Sequence, residues 1–279
     1  MIWLVFSLLA GLSFATSRIV ARFLLRQDGN ALAFTALHSF FAGLVLLPMA
    51  IWKLDLPDNE IIWLWFFGIV IFAFLSDWLA FLALKLIDIS EYQIVGQVRH
   101  LLIIIGGFVF FTEPVTIFKM IAIVLIGVGV WVSRYEKKSF VINRGVTLTV
   151  LSTLAAVIAF LFVKQTVTDF SEISAASFEL LLLAFLGFSL GGFSFSKIKK
   201  ELKIQKWGLV ISGVLFGLFE VLLFLALSHG EASRVVPVVQ SSLIFSVLGG
   251  IIFLKERTNV PQKIFGTLLA IVGIILLAI

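Results

Sequence analysis

Asp77 and Glu220 are the residues whose chemistry most needs explaining, because each interrupts a long apolar run at the same place in a repeated stretch. A carboxylate in hydrocarbon costs at least about 2.5 kcal/mol on insertion scales, so it stays where it binds or pairs with something. Near them in sequence stand Trp78, Gln93, Gln97, Arg99 and His100, with Gln240 as the counterpart of Gln97. Gln93, Gln97 and His100 follow the i, i+4, i+7 spacing of one helix face. If a turn near Asp88 joins two antiparallel helices, a rise of about 1.5 Å per residue brings Asp77, Gln97 and His100 to nearly one depth. Amides, an imidazole and carboxylates gathered there suit the binding of a small polar solute. Arg99 is expected to line a water-filled cavity or to pair with Asp77. Fixed Asp77–Arg99 and Glu220–Arg234 ion pairs are the alternative in which the charges only lock helices together. Trp78 is placed either to stack on a substrate or to pack in the core. A buried carboxylate could also carry a coupling proton, whereas a neighbouring arginine would oppose that.

These residues sit in a stretch that the chain writes twice. Asp77–Glu113 and Glu220–Glu256 align without a gap at a constant offset of 143 residues. Phe81-Leu82-Ala83-Leu84 returns as Phe224-Leu225-Ala226-Leu227, Ser90 as Ser233, Gly106-Gly107 as Gly249-Gly250, and Glu113 as Glu256. Apolar agreement comes easily in such a chain; matched Ser, Gln, Gly-Gly and Glu do not. The protein is two related halves. With 61% hydrophobic and 13% charged residues, against about half and a quarter in soluble domains, the solvent of this chain must be lipid. The absence of cysteine excludes disulfides and thiolate chemistry. The net charge of +5 is carried at helix ends rather than on one patch, which suits lipid headgroups and not nucleic acid. Met1–Ser17 has no basic n-region and no small-residue cleavage site, so it reads as a first span rather than a removed signal.

A bilayer is crossed by roughly 20 apolar residues in a helix. Ten such segments are expected, at about 2–25, 31–52, 61–86, 90–111, 115–133, 145–166, 173–195, 207–228, 234–254 and 261–279. This is an all-α integral membrane protein of ten transmembrane helices, arranged as residues 1–136, a linker at 137–144, and residues 145–279. Five spans per half is an odd number, so the halves enter the membrane in opposite senses, with a site at their interface. Sixteen of the 21 Lys and Arg residues fall at alternate turns, those between spans 1–2, 3–4, 5–6, 7–8 and 9–10. This bias places those turns in the cytoplasm and both termini outside. Lys197–Lys206 reads as a basic linker. Arg18, Arg22 and Arg26 form one stripe of the first helix and are expected to snorkel to anionic headgroups.

Several motifs have a structural reading. Glu113 and Glu256 are expected to sit near the positive helix ends of spans five and ten. Gly106-Gly107, Gly249-Gly250, Gly187xxxGly191 and Gly213xxxGly217 would let helices approach closely. Pro237, opposite Ile94 in the first copy, is placed either to break the ninth helix near the site or to be a tolerated kink. Trp63, Trp65, Trp131 and Trp207 lie near span ends, as interfacial belts do. No GxxxxGK[ST], HExxH or GxSxG pattern occurs, and no His and carboxylate spacing suits a metal. No enzyme, cofactor or metal centre is therefore expected.

Taken together, the FLAL pairs, Ser90/Ser233, the Gly-Gly pairs, Glu113/Glu256 and the glycines Gly127, Gly129, Gly266 and Gly273 resemble the EamA-type branch of the drug/metabolite transporter superfamily. The resemblance runs over essentially the whole chain. It implies a carrier whose central cavity is formed largely by spans one, three, four, six, eight and nine. Asp77, Trp78, Gln97, His100 and Gln240 map onto that lining. The chain departs from the pattern at Ile94, where members commonly carry proline. The expected function is secondary transport, by alternating access, of a small polar metabolite out across the inner (cytoplasmic) membrane. Amino acids or relatives come first; sugars, nucleotide derivatives and lipid precursors are the other candidates. Protons or an exchanged solute would drive it, and a monomer would suffice. A non-transporting membrane scaffold is the rival reading.

Overall fold

In lipid every backbone N–H and C=O must be paired within its own segment, and the long apolar runs accordingly fold as helices. The computed structural model describes residues 2–25, 30–111, 116–133, 135–136, 139–140, 142–166, 171–191, 195–229, 235 and 238–277. Its helices are α1 (Ile2–Leu25), α2 (Ala31–Trp52), α3 (Glu60–Leu86), α4 (Ile89–Val95), α5 (Val98–Phe111) and α6 (Ile117–Ser133) in the first half. The second half holds α7 (Arg144–Thr166), α8 (Glu172–Leu190), α9 (Phe195–His229), α10 (Ser242–Ile252) and α11 (Val260–Leu277). Between the halves, β1 (Tyr135–Glu136) and β2 (Ser139–Phe140) make a short antiparallel pair. The chain is an all-α membrane protein of ten spans in two inverted five-helix repeats, α4 and α5 together forming the fourth span.

Two expectations change. The fourth span is not one helix from 90 to 111: it breaks at Gly96-Gln97, where Gln97 N bonds Ile94 O and His100 N bonds Gln97 O in tight three-residue turns. The ninth span breaks at the equivalent place, with Ser241 N bonding Val238 O and Leu243 N bonding Gln240 O. Pro237, which stands opposite Ile94, lies outside the described residues. The basic segment 197–206 is also no linker. It is the opening of α9, and ends at Lys206, whose φ of 49° lies in the left-handed region and turns the helix into its membrane-spanning part.

The pseudo-twofold sets the packing. α1 lies along α9 and its counterpart α7 along α3, while α2 meets α8 and α6 meets α11 near the axis. One equivalence fails: α2 packs along α9, whereas α8 meets α3 over a much shorter interface. Glycines make the closest approaches, as expected of small residues in lipid. A Cβ on Gly217 would come within 2.6 Å of Ala42 O, and one on Gly213 within 2.7 Å of His38 O. Gly187 faces Ala36 in the same way, whereas a Cβ on Gly191 would meet, among the described residues, carbonyls of its own helix end. The packing of Gly106 and Gly107 lies outside the described residues. At the α6–α11 crossing the approach is reciprocal: a Cβ on Gly266 would come within 2.5 Å of Gly129 O, and one on Gly129 within 2.7 Å of Gly266 O. Gly266→Val is therefore expected to destabilise by about 1–3 kcal/mol, the usual overpacking range. Gly127→Val, on the same helix but with nothing within 4 Å, should leave the melting temperature of the solubilised protein unchanged.

Candidate functional site

Where α8 parts from α3, a cavity of about 270 Å³ opens between α3, α7, α8 and α9. Its walls are apolar, from Ile69, Phe160, Val163 and Phe216 among others, yet it carries three carboxylates: Asp77, Glu179 and Glu220. These lie within electrostatic range of one another. Among the described residues Glu179 and Glu220 have no hydrogen-bond or ion-pair partner, so both are left to face the cavity. Most of the lining residues fall in the half of each span that is remote from the lysine- and arginine-rich turns, while Ser76, Asp77, Leu183 and Phe216 lie just past mid-span toward those turns. A larger cavity, about 510 Å³, lies at the basic face between α2, α8 and the start of α9. Its carboxylate, Glu201, is already engaged by Asn30 N and Gln205 Nε2, so it offers no comparable chemistry.

Asp77 is held differently from the two glutamates. Arg18 Nη2 donates to Asp77 Oδ1 at 3.3 Å, and the guanidinium carbon sits 5.2 Å from each of the Phe14, Phe81 and Phe216 ring centres. Three ring faces offset part of the desolvation of a cation that is only 5% exposed. His38, fully buried, stands against the same Phe81 and Phe216 rings and meets Ser17 Oγ at 3.3 Å. The snorkelling expectation thus fails for Arg18, which pairs inward because Asp77 is within reach at the same depth. It fails for Arg22 also. The expected Asp77–Arg99 pair is replaced by Asp77–Arg18, and the Glu220–Arg234 pair and Arg26 fall outside the described residues. A double-mutant cycle of Arg18→Met and Asp77→Asn, read by thermal melting, is expected to give a coupling of about 1–3 kcal/mol.

The amide residues form a second, separate cluster between the halves at the two helix breaks. Gln93 Nε2 donates to Ser246 Oγ at 3.1 Å, Gln97 Nε2 turns back onto Gln93 O at 2.9 Å, and Gln240 Nε2 meets His100 Nε2 at 3.4 Å. The break at Gly96-Gln97 redirects Gln97, so the single face expected for Gln93, Gln97 and His100 does not form. No hydrogen bond among the described residues links this cluster to Asp77.

At the basic face a third group ties the halves together. Glu256 Oε1 accepts from Ile89 N at 2.8 Å, and Oε2 accepts from Ser90 N at 3.2 Å and Ser90 Oγ at 2.6 Å. Glu256 therefore caps α4 of the other half rather than its own tenth span; Glu113 lies outside the described residues. Beside it, Lys263 Nζ donates to Asp88 Oδ2 at 2.9 Å, Thr258 Oγ1 to the same oxygen at 3.2 Å, and Arg22 lies 3.6 Å from Asp88 Oδ1. Arg22 also donates to Leu84 O. Burial alone would raise the pKa of Asp88, but the hydrogen bond and charge of Lys263, with Thr258 and Arg22, outweigh it and hold the carboxyl below its ordinary value.

The chain matches the EamA-like transporter family over residues 1–135 and 143–279. It belongs to that family. A relative from Archaeoglobus fulgidus, named an uncharacterized transporter, is 26% identical over 98% of this chain and 96% of its own length. A segment of 70 residues is 46% identical to the uncharacterized protein MJ1333.1 of Methanocaldococcus jannaschii, covering 25% of this chain and 50% of that one. A solved structure titled only as the crystal structure of a protein superposes with a TM-score of 0.58 at 16% identity, over 95% of this chain and 94% of the other; that likeness speaks for the fold alone. Within this EamA-like membrane transporter, the eight residues singled out by sequence fall into separate places. Asp77 and Glu220 share the acidic cavity. Trp78 stacks on Phe74 and packs against two core clusters. Gln93, Gln97, His100 and Gln240 form the interface cluster, and Arg99 is exposed at the start of α5. Glu179, Arg18 and His38 were missed. Glu179 had a signal of the same kind as Asp77, a lone carboxylate in the apolar run 173–190.

Proposed function

We propose that this EamA-like protein is a secondary carrier that moves a small polar metabolite out across the inner membrane, with amino acids and their relatives first. The acidic cavity carries this reading. Its volume, about 270 Å³, falls just below the usual range of ligand pockets, roughly 300–1,000 Å³, which suits a small solute, and its walls come from both halves, α3 on one side and α7, α8 and α9 on the other. A solute with an ammonium group would place it between Glu179 and Glu220 and its carbon skeleton against Phe160 and Phe216. The same carboxylates would take up protons when the solute leaves, which supports proton exchange as the driving step. The chain is shut by hydrogen bonds and ion pairs at the basic face, while the cavity lies toward the opposite one; with the basic face in the cytoplasm, this is the outward-facing form of an alternating-access cycle. Both walls belong to one chain, so a monomer suffices. Metabolite profiling of medium from overexpressing cells, followed by counterflow of the enriched solutes in proteoliposomes, tests the proposal. A scaffold or an enzyme would give no enrichment and no counterflow.

A further inference from the structure

We infer that Glu256 is the latch that holds the carrier shut at its basic face, an inference that rests on the carrier reading above. One carboxylate in the turn before span ten takes three hydrogen bonds from Ile89 and Ser90, which belong to the other half. All three are charge-assisted and buried, with Glu256 only 3% exposed, so each is stronger than an ordinary hydrogen bond. Yet they depend on one side chain and span the line along which two rocking halves must separate. Releasing them needs a single rotamer change.

The surroundings are shaped to admit that side chain. A Cβ on Gly250 would stand 2.6 Å from Glu256 Oε2 and 2.8 Å from Ile89 Cγ2, so only glycine leaves the carboxylate room to reach across. Glu256 N in turn bonds Gly250 O at 3.1 Å, which fixes the turn that presents it. Serine, paired glycines and glutamate are among the polar and small residues that the two copies keep at one offset. The latch gives their joint retention a physical reason that a helix-end carboxylate and a packing glycine, considered apart, do not. Arg22, Asp88 and Lys263 lie beside the latch and bridge α1, the α3–α4 turn and α11, so that the closed face is braced on both sides of Ser90.

Because the chain contains no cysteine, one reporter thiol can read the latch without background. Ser246→Cys is close in size to the native side chain. It lies on α10, opposite Gln93 of the first half and one turn deeper than Gly250, where opening at the basic face would expose it. In proteoliposomes the reporter is expected to react slowly with a membrane-impermeant maleimide added at the basic face. Adding Glu256→Gln should raise that rate by about tenfold or more, the factor expected from losing charge-assisted hydrogen bonds. Ser90→Ala, which leaves the two backbone donors in place, should raise it less and serves if the first variant folds poorly. Unchanged labelling in both variants, with counterflow retained, overturns the latch and leaves the carrier standing. Raised labelling supports the latch; if no solute moves in any variant, it is the carrier reading that falls instead.

Discussion

Replacing Glu179 and Glu220 together by glutamine is expected to abolish counterflow while leaving the protein folded. Neither carboxylate has a hydrogen-bond or ion-pair partner among the described residues, and both face one cavity in electrostatic range of each other and of Asp77. The substitution keeps the size of both side chains and breaks no contact among the described residues. The melting temperature should hold. Flux should fall by about a hundredfold or more, since a hydrogen bond to a charged ligand group is worth about 1.5–3 kcal/mol and two are lost. Asp77→Asn, by contrast, should reduce stability as well as flux, because Arg18 loses its carboxylate. A double variant that transports normally would show that the cavity is not the path.

The largest loss of stability is expected from Asp88→Asn. Lys263, with a side chain 1% exposed, donates to Asp88 at 2.9 Å, and leaving such a cation buried without its counter-charge costs about 3–5 kcal/mol. Lys263→Met in the Asp88→Asn background should restore most of that loss, since pairing rather than charge itself is what the site requires. The pH dependence has a definite sign. The folded pKa of Asp88 is held below its ordinary value, so the stabilisation is complete at neutral pH and is lost as the pH falls below about 4. Melting of detergent-solubilised protein between neutral and acidic pH should show this drop for the native chain and not for Asp88→Asn.

Much of the architecture was legible because lipid makes it so. Ten apolar runs bounded by short polar turns leave helices as the outcome, and the gapless repeat with five spans per half dictates inverted halves. The site was legible only in part. Asp77 and Glu220 stood out because a carboxylate in hydrocarbon is costly wherever it lies, and the structure puts both in one cavity. Their partners could not be read, because a span's rotation about its own axis is set by packing between distant segments. Arg18 looked like a headgroup anchor by its distance from the end of α1, and only the meeting of α1, α3 and α9 reveals Asp77 and three phenyl rings around it. The break at Gly96-Gln97 was hidden for a related reason. A proline announces a broken helix, whereas a glycine followed by a glutamine able to bond its own preceding turn does so silently. Glu256 was assigned to the nearer helix end, when its reach is to the other half of the molecule.

The Gly129–Gly266 crossing has a mechanical meaning. There α6 and α11 approach backbone to backbone, with only the Cβ atoms of Ser133 and Leu269 beside the two glycines. Such a junction resists sliding along either axis but tolerates a swivel, as a pinned scissor does. Displacement during a cycle would then grow with distance from the pin. The helix pairs α1–α9 and α3–α7 would travel farther than the crossing itself, and the acidic chamber, walled by α3, α7, α8 and α9, would change width with them.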